Sequence, residues 1–213
     1  MYKKYIKRII DFLISVIALP FFCVLFVILA PVIHLTDKGP VFYNAERIGK
    51  GGKLFKMYKF RSMYVNAPDI RLADGSTYNG ANDPRVTKIG KFLRATSIDE
   101  IPQIFNMLNG TMSLIGPRPD PPDWLGRYPE EIKVFLSVRP GITGYCQAYW
   151  RNGIESTEKM KVDAYYAQHV SFIFDVKIFF KTIATVLGHK NVYRDLTNEK
   201  DVMEEAKQIE WKK

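Results

Sequence analysis

The sequence is poor in cysteine and histidine, the side chains from which disulfide frameworks, zinc sites and histidine-centred catalytic groups are built. Cys23 and Cys146 are its two cysteines, and the first lies inside an apolar run. Such a pair predicts neither a disulfide framework nor a metal-ligand cluster. The three histidines are widely separated, so neither a zinc site nor a catalytic triad is predicted. Neither the P-loop pattern nor the dinucleotide-binding glycine pattern is present.

Acidic residues are also in the minority. The chain has 31 Lys and Arg against 22 Asp and Glu, a formal net charge of +9. Such an excess favours an anionic partner, whether nucleic acid, an anionic membrane surface or a phosphorylated substrate. No recognisable nucleic-acid-binding module accompanies the charge, and nucleic acid would leave the apolar N-terminus unexplained. We therefore predict no nucleic-acid partner.

The longest apolar feature is a stretch of 22 residues without a charge, from Phe12 to Ile33. As a continuous helix it would be about 33 Å long at 1.5 Å per residue, enough to cross a bilayer. Pro20 and Pro31 interrupt it, and an internal proline kinks or breaks a helix. Basic residues flank both ends, and positive charge marks the cytoplasmic side. We predict a broken, re-entrant helix; a single crossing, a cleaved signal peptide and a buried core helix are the alternatives.

The rest of the chain predicts a helix-rich α+β fold. Residues 41 to 60 read as two β-rich runs around a Gly-Lys-Gly-Gly turn, a hairpin with Lys59 near the end of its second strand. Residues 66 to 88 predict a long surface loop, and the sequence KIGKFLRA after it predicts a short basic helix. The apolar residues from Phe172 to Leu187 predict a core helix or a membrane-surface helix, and these residues alone leave both open.

Two adjacent carboxylates, Asp99 and Glu100, stand just before Pro102. Ser97 and Glu100 have the spacing of a capping box. Pro102 lacks a backbone N–H, however, so a helix beginning at Ser97 would lose an early hydrogen bond, and we place the helix start nearer Asp99. The carboxylates would then lie at the positive end of a helix dipole, which favours their ionised forms. From these residues alone, both capping and chemistry remain open.

Two proline-stiffened loops each present one arginine. Residues 113 to 122 contain Arg118, and residues 138 to 144 contain Arg139. Either arginine has a simple interpretation as a solvated loop charge. An arginine held beside prolines is also a preorganised fork for phosphate, which guanidinium groups bind in a bidentate way. Together with Lys59 and Arg94, the two loops favour a phosphate pocket.

Several long segments together resemble one family. They are KRIID, GPVFY, ERIGKGGKLFKMYKFRSM, DPRVTKIGKFLRATSIDEIPQIFNML, MSLIGPRP and VRPGITGYCQAYWRN. In this order they resemble the bacterial sugar transferases, the small monotopic phosphoglycosyl transferases, from about Lys7 to about Val192. Many members of that family have a Ser-Pro break near the middle of the apolar run, where this chain has Cys23 and Val24.

The resemblance implies an activity and the residues that carry it. Family members transfer a sugar 1-phosphate from a UDP-sugar to polyprenyl (undecaprenyl) phosphate, with magnesium, releasing UMP. Asp99 would be the nucleophile that carries a covalent phosphosugar. Glu100 would help it to hold Mg²⁺. Phosphate and substrate binding would fall to Lys59, Arg94, Arg118 and Arg139, and we expect the first and third of these to serve substrate and not the fold.

The resemblance also implies where the protein works. Residues 1–36 would form the membrane-inserted helix, 37–192 a catalytic domain on the cytoplasmic face of the bacterial inner membrane, and 193–213 a charged tail. Interfacial amphipathic helices and the small hairpin would surround the active site, and downstream glycosyltransferases are expected partners. The competing interpretation is a catalytically silent membrane adaptor for glycan-assembly enzymes, against which the intact Asp99–Glu100 pair argues.

Overall fold

The structure is a computed structural model that describes residues 1–72, 75, 77–151 and 153–188. The predicted tail, 193–213, lies outside the described residues, as does the end of the predicted domain 37–192. The described part is helix-rich with two small two-stranded sheets, which confirms the predicted α+β class.

A long apolar helix, α1 (Lys7–Asp37), follows a π-helical segment, Tyr2–Ile6. Pro20 and Pro31 both lie inside α1, and the helix continues through them. The helix is therefore not interrupted at the prolines: each removes one backbone hydrogen bond while the turns on either side still form. The re-entrant course stays a prediction. Together, the two segments are long and apolar enough to cross a membrane.

Strands β1 (Phe42–Ile48) and β2 (Leu54–Phe60) form the predicted antiparallel hairpin. Gly51 and Gly52 in its turn have φ angles of 68° and 75°, a left-handed conformation that glycine adopts without steric cost. The register sets Tyr43 opposite Lys59. Lys59 is thus the second-last residue of β2, as the sequence predicted.

The region that carries the carboxylate pair consists of three short helical elements. Helix α2 (Lys88–Thr96) is the predicted basic helix, capped by the Thr87 side chain, which accepts from the Gly90 backbone N–H. A 3₁₀ segment, Ile98–Gln103, follows and leads into α3 (Ile104–Asn109). Gly110 ends α3 in a left-handed conformation, the usual helix stop.

The remaining elements surround a short parallel pair that the sequence did not predict. Strand β3 (Ser113–Ile115) pairs with β4 (Gly141–Thr143), and each lies within one of the two proline-rich loops. A Cβ on Gly141 would lie 2.1 Å from the Gly116 nitrogen, so this approach requires glycine. Between the strands lie 3₁₀ segments at Pro122–Trp124 and Glu130–Ser137. Helices α4 (Tyr145–Tyr149), α5 (Ser156–Gln168) and α6 (Phe172–Leu187) complete the described chain.

Both ends of α1 contact the same folded unit. At its N-terminal end, Arg8 donates to the carbonyls of Met107 and Leu108, the last turn of α3. At its C-terminal end, Asp37 forms an ion pair with Arg61, the residue after β2. A helix that merely crossed a bilayer away from this unit would have one end out of its reach.

The middle of α1 packs on an aromatic cluster. The Phe22 ring lies 6.0 Å from that of Phe60 and 4.9 Å from that of Phe105, between ring centroids. The opposite face of α1 exposes Phe21 and Val27. A second apolar core joins the 3₁₀ segments, β3 and the last helices. Its buried members include Ile115, Trp124, Tyr128, Phe135, Tyr166 and Ile178.

Helix α6 packs one face on the core, which confirms the core alternative, while the membrane-surface alternative stays a prediction. Asp175 and Ile178 are buried against the second core, whereas Ile173, Phe180 and Leu187 are exposed. An exposed apolar helix face of this kind marks an interaction with another apolar surface.

Among the described residues from 66 to 87 no helix or strand is formed, as predicted for a loop, but part of this loop is buried and not at the surface. Tyr78, Asp83 and Arg85 are each 1% exposed. The Arg85 guanidinium pairs with Asp83 at 2.8 Å and donates to the carbonyls of Pro68 and Tyr78. The prediction of a surface position failed because a charged pair whose hydrogen bonds are satisfied internally can be buried, and composition does not reveal the partners.

Candidate active site

The 3₁₀ segment Ile98–Gln103 directs the side chains of Asp99 and Glu100 inward. Ser97 has a left-handed conformation, φ 59°, and its side chain does not cap the segment. Its hydroxyl instead accepts from Arg151 at 3.0 Å. The capping-box interpretation is therefore wrong. The predicted start near Asp99 is confirmed, but as a 3₁₀ turn and not as an α-helix.

Glu100 is held by three donors. Its Oε1 accepts from Lys59 Nζ at 2.7 Å and from an Arg118 guanidinium nitrogen at 2.9 Å, and its Oε2 accepts from the Gln103 amide. Burial alone would raise the pKa of Glu100, but the positive charges of Arg118 and Lys59 outweigh it and lower that pKa far below its ordinary range. Glu100 is thus ionised and fully engaged.

Asp99 differs from Glu100 in its hydrogen bonding and in the direction of its pKa shift. It is 8% exposed, and no residue in the described part of the chain donates a hydrogen bond to its carboxylate. Burial and then the negative charge of Glu100 raise its pKa to about 6, with Lys59 and Arg94 opposing the shift. Loss of water and a like charge are therefore the main influences on Asp99, and its pKa still lies below neutral pH.

The cations come from three separate elements. Lys59 lies on β2, Arg118 follows β3, and Arg94 lies on α2, where its charge opposes the rise in the pKa of Asp99. Arg94 Nε donates to the Ser62 hydroxyl at 3.0 Å. The structure thus brings together Asp99, Glu100 and three of the four predicted cations. Lys59 and Arg118 bind Glu100 directly, so both also contact the fold, and the expectation that they serve substrate stays a prediction.

Arg139, the fourth predicted cation, lies elsewhere. Its Nε donates to the Gly110 carbonyl at 2.7 Å, and the side chain lines a small cavity with Lys3, Lys7 and Asp11. Its role in phosphate and substrate binding stays a prediction, and this placement does not support it.

A buried cluster that the sequence analysis missed holds the Arg118 loop. Asp120, two residues after Arg118, accepts two hydrogen bonds from Lys159 Nζ, at 2.9 and 3.0 Å, and one from the Tyr128 hydroxyl at 3.1 Å. Lys159 is 39 residues from Asp120 in sequence, so no local pattern joins them. Arg47 was also missed, although period-two alternation along β1 puts it on the same hairpin face as Lys59.

The protein's own groups offer a metal ion few ligands. No cluster of three or more His, Cys, Asp or Glu side chains suited to a metal occurs among the described residues. Asp99 has unoccupied oxygens, whereas both oxygens of Glu100 already accept hydrogen bonds. Mg²⁺ commonly binds through one or two carboxylates and completes its shell with substrate phosphates and water. Asp99 fits that pattern as it stands; Glu100 fits it only if a donor is displaced.

The structure combines a long apolar helix of the kind found in membrane-associated proteins with a small α+β unit in which two carboxylates lie among cations. Comparison with known proteins gives the family. The sequence model described as bacterial sugar transferase matches residues 2–189, and the chain belongs to that family.

Individual relatives support the same assignment. The chain is 36% identical over 208 residues to the undecaprenyl-phosphate galactose phosphotransferase of Salmonella typhimurium, covering 90% of this chain and 42% of that protein. It is 41% identical over 189 residues to the UDP-N-acetylgalactosamine-undecaprenyl-phosphate N-acetylgalactosaminephosphotransferase of Aeromonas hydrophila, covering 86% and 44%. Thus it spans less than half of these two relatives. With the exopolysaccharide production protein ExoY of Rhizobium meliloti it shares 37% identity over 198 residues, 88% of each chain.

Proposed function

We propose that this protein is a phosphoglycosyl transferase that moves a sugar 1-phosphate from a UDP-sugar to polyprenyl phosphate, the first membrane step of glycan assembly. The observation that carries the proposal is the asymmetry of the acid pair. Asp99 has a carboxylate without hydrogen-bond donors among the described residues, beside a Glu100 that three donors hold. Relatives named for undecaprenyl phosphate and for UDP-sugars support this substrate pair.

The proposed chemistry has two displacements at one phosphorus. An Asp99 oxygen attacks the phosphorus that bears the sugar; the bond from that phosphorus to the bridging oxygen breaks, and UMP leaves with the bridging oxygen. A polyprenyl phosphate oxygen then attacks the aspartyl phosphosugar, and the Asp99 carboxylate is released. A carboxylate nucleophile divides one difficult displacement into two easier ones.

The surrounding cations hold the charge of the reacting phosphate. Phosphoryl transfer depends mainly on positioning and on neutralising oxygen charge. Arg118 and Lys59 converge on Glu100 beside Asp99, so they can turn toward phosphate oxygens next to the nucleophile. The charge of Arg94 also acts on Asp99. Glu100 positions the two donors, Arg118 and Lys59. Because its own oxygens are held by hydrogen bonds, Glu100 does not itself attack the phosphorus.

Magnesium belongs to the proposal as a cofactor. Asp99 and the substrate phosphates would hold it, joined by Glu100 when its donors move to phosphate. The ion would supply further neutralisation of phosphate charge. We expect that EDTA abolishes UMP release and that added Mg²⁺ restores it, while the thermal unfolding temperature stays unchanged because the cations already stabilise Glu100. Full activity in EDTA would reject the metal requirement.

The turnover test uses purified protein in detergent with polyprenyl phosphate and a panel of UDP-sugars. UMP release is expected with at least one of them. The panel includes UDP-galactose, UDP-glucose and UDP-N-acetylgalactosamine, because relatives of similar identity are named for each of these sugars. A silent adaptor would release no UMP with any sugar.

We also propose a re-entrant topology at the cytoplasmic face of the inner membrane. The contacts at both ends of α1 support it. Arg8 binds carbonyls at the end of α3, and Asp37 binds Arg61 after β2, so both ends stay with one polar unit. Only the middle of the helix, with its outward apolar face, would enter the bilayer. Basic residues at both ends agree with a single cytoplasmic side.

Cysteine labelling tests the topology. In a Cys23→Ser background, Lys4→Cys and Lys161→Cys place thiols at exposed positions before α1 and on α5. Both are expected to react with a membrane-impermeant maleimide in inverted vesicles, whose outer surface is the cytoplasmic face, and not in vesicles of native orientation. Labelling of Lys4→Cys from the periplasmic side alone, with Lys161→Cys on the cytoplasmic side, would establish a single crossing.

A further inference from the structure

One face of the hairpin extends the cationic site beyond the predicted residues. The register pairs Tyr43 with Lys59 and Arg47 with Phe55. Because successive side chains of a strand alternate between faces, Arg47, Tyr43 and Lys59 share one face. Lys59 on this face reaches Glu100. Arg47 therefore lies on the same face of the hairpin as Lys59, four residues along β1 from Tyr43, which pairs with Lys59.

Arg47 has no anion of its own. Its guanidinium donates to the Glu46 carbonyl at 3.0 Å, and among the described residues no carboxylate lies within ion-pair distance of it. By contrast, Arg118 is paired with Glu100 at 2.9 Å, and Arg71 with Asp69 at 2.7 Å.

The neighbours of Arg47 are themselves cations. Burial and then the positive charge of Arg118 lower the pKa of Arg47, with a smaller contribution from Arg71 in the same direction. Asp120 is the carboxylate whose charge opposes this, but Lys159 and Tyr128 already occupy it. A half-buried guanidinium among like charges is unfavourable unless a further anion neutralises it.

The positions of Arg118 and Arg47 relative to the acid pair indicate which part of a ligand supplies that anion. Arg118 links the two regions, since it contacts Glu100 and its charge reaches Arg47. At about 3.4 Å per residue along β1, Arg47 lies roughly 14 Å from Tyr43, and hence outward from Lys59 and the acid pair. An anionic group next to the reacting phosphorus, on the side away from Asp99, would lie between Arg118 and Arg47. A guanidinium can bind such a phosphate in a bidentate way.

We propose that Arg47 binds the phosphate of the nucleoside monophosphate half of the donor, the group that leaves as UMP. This inference rests on the proposed function, because it takes the donor to be a UDP-sugar. Arg47 would hold this phosphate in the bound donor and in the departing product.

The test compares Arg47→Gln, Arg47→Lys and Lys56→Gln with the wild type. Lys56 is the matched control, since it is exposed on the opposite face of the same hairpin. Calorimetry measures the binding of UMP and of uridine. UMP release measures kcat/KM for the UDP-sugar and for polyprenyl phosphate. We expect UMP to bind at least tenfold more weakly to Arg47→Gln, with uridine unchanged, partial recovery in Arg47→Lys and no change in Lys56→Gln.

Kinetics separate the two half-reactions. In a double-displacement mechanism, kcat/KM for each substrate reports its own half-reaction. Arg47→Gln is expected to lower kcat/KM for the UDP-sugar at least tenfold, and to lower kcat/KM for polyprenyl phosphate by no larger factor, since that phosphate attacks from the side that UMP leaves. Unaltered UMP binding, a wild type that does not bind UMP, or a loss confined to polyprenyl phosphate would each overturn the inference. An active Arg47→Gln with wild-type constants would do so while leaving the proposed function intact, whereas absence of UMP release from the wild type would reject that function.

Discussion

Asp99→Asn is expected to lose all measurable turnover, at least a thousandfold, and to form no covalent adduct. An amide cannot supply the carboxylate oxygen that attacks phosphorus, and the neighbouring Glu100 cannot replace it because Lys59, Arg118 and Gln103 hold both of its oxygens. The measurements are UMP release and peptide mass spectrometry after incubation with UDP-sugar alone. A phosphosugar on Glu100, or kinetics that require a ternary complex with no adduct, would contradict the assignment.

The same substitution is expected to stabilise the fold above pH 6. The pKa of Asp99 is raised from 3.8 to about 6, so the folded protein holds this proton more tightly than the unfolded chain. Ionising Asp99 therefore costs folding free energy, a cost that grows from about pH 4 to pH 6 and is constant above. At 1.36 kcal/mol per pKa unit, its order of magnitude is about 1 to 3 kcal/mol.

Thermal unfolding in detergent measures this gain. Asp99→Asn should unfold several degrees above the wild type at pH 8, and the difference should vanish near pH 4. Asp123→Asn, at a largely exposed carboxylate, is the control and should show no such gain. An inactive variant that is more stable than the wild type is the pattern of a group kept for chemistry at the expense of stability. A loss of stability at pH 8 would instead assign Asp99 a structural role.

Local patterns predicted the parts of the site that depend on near neighbours. The turn glycines and the alternating runs were enough to place Lys59 at the end of β2. The order of the acid pair was available from the resemblance, but its physical basis was not. Ser97 has the spacing of a cap, yet its left-handed backbone ends α2, and a separate 3₁₀ segment follows. The rise in the pKa of Asp99 depends on burial by the whole fold, which no window of sequence contains.

Long-range partners account for what could not be predicted. Asp83 and Arg85 lie two residues apart, but the burial of Arg85 also requires carbonyls at Pro68 and Tyr78. Lys159 reaches Asp120 across 39 residues. In both cases a polar residue that composition assigns to solvent becomes part of the interior once its hydrogen bonds are satisfied. The site therefore rests on interior charges whose sequence signals are those of surface residues.

Lys59→Met is expected to remove most turnover, at least a hundredfold, and also to destabilise the protein. Lys59 and Glu100 are ion-paired at 2.7 Å with side chains only 14% and 16% exposed. Removing one partner of a buried pair leaves the other charge poorly compensated, and here Arg118 compensates part of it, so we expect a loss of about 2 kcal/mol. Lys56→Met, at an exposed position on the opposite face of β2, should change neither property.

Combining Lys59→Met with Glu100→Gln separates the two roles of the lysine. The double variant no longer contains an uncompensated carboxylate, so its unfolding temperature should return toward that of Glu100→Gln alone. Its turnover should remain as low as that of Lys59→Met, because the cation that neutralises the reacting phosphate is still missing. Such a cycle measures the coupling between the two side chains. If the double variant regained activity, Lys59 would act only by neutralising the charge of Glu100; if it failed to regain stability, the buried pair would not be what Lys59 stabilises.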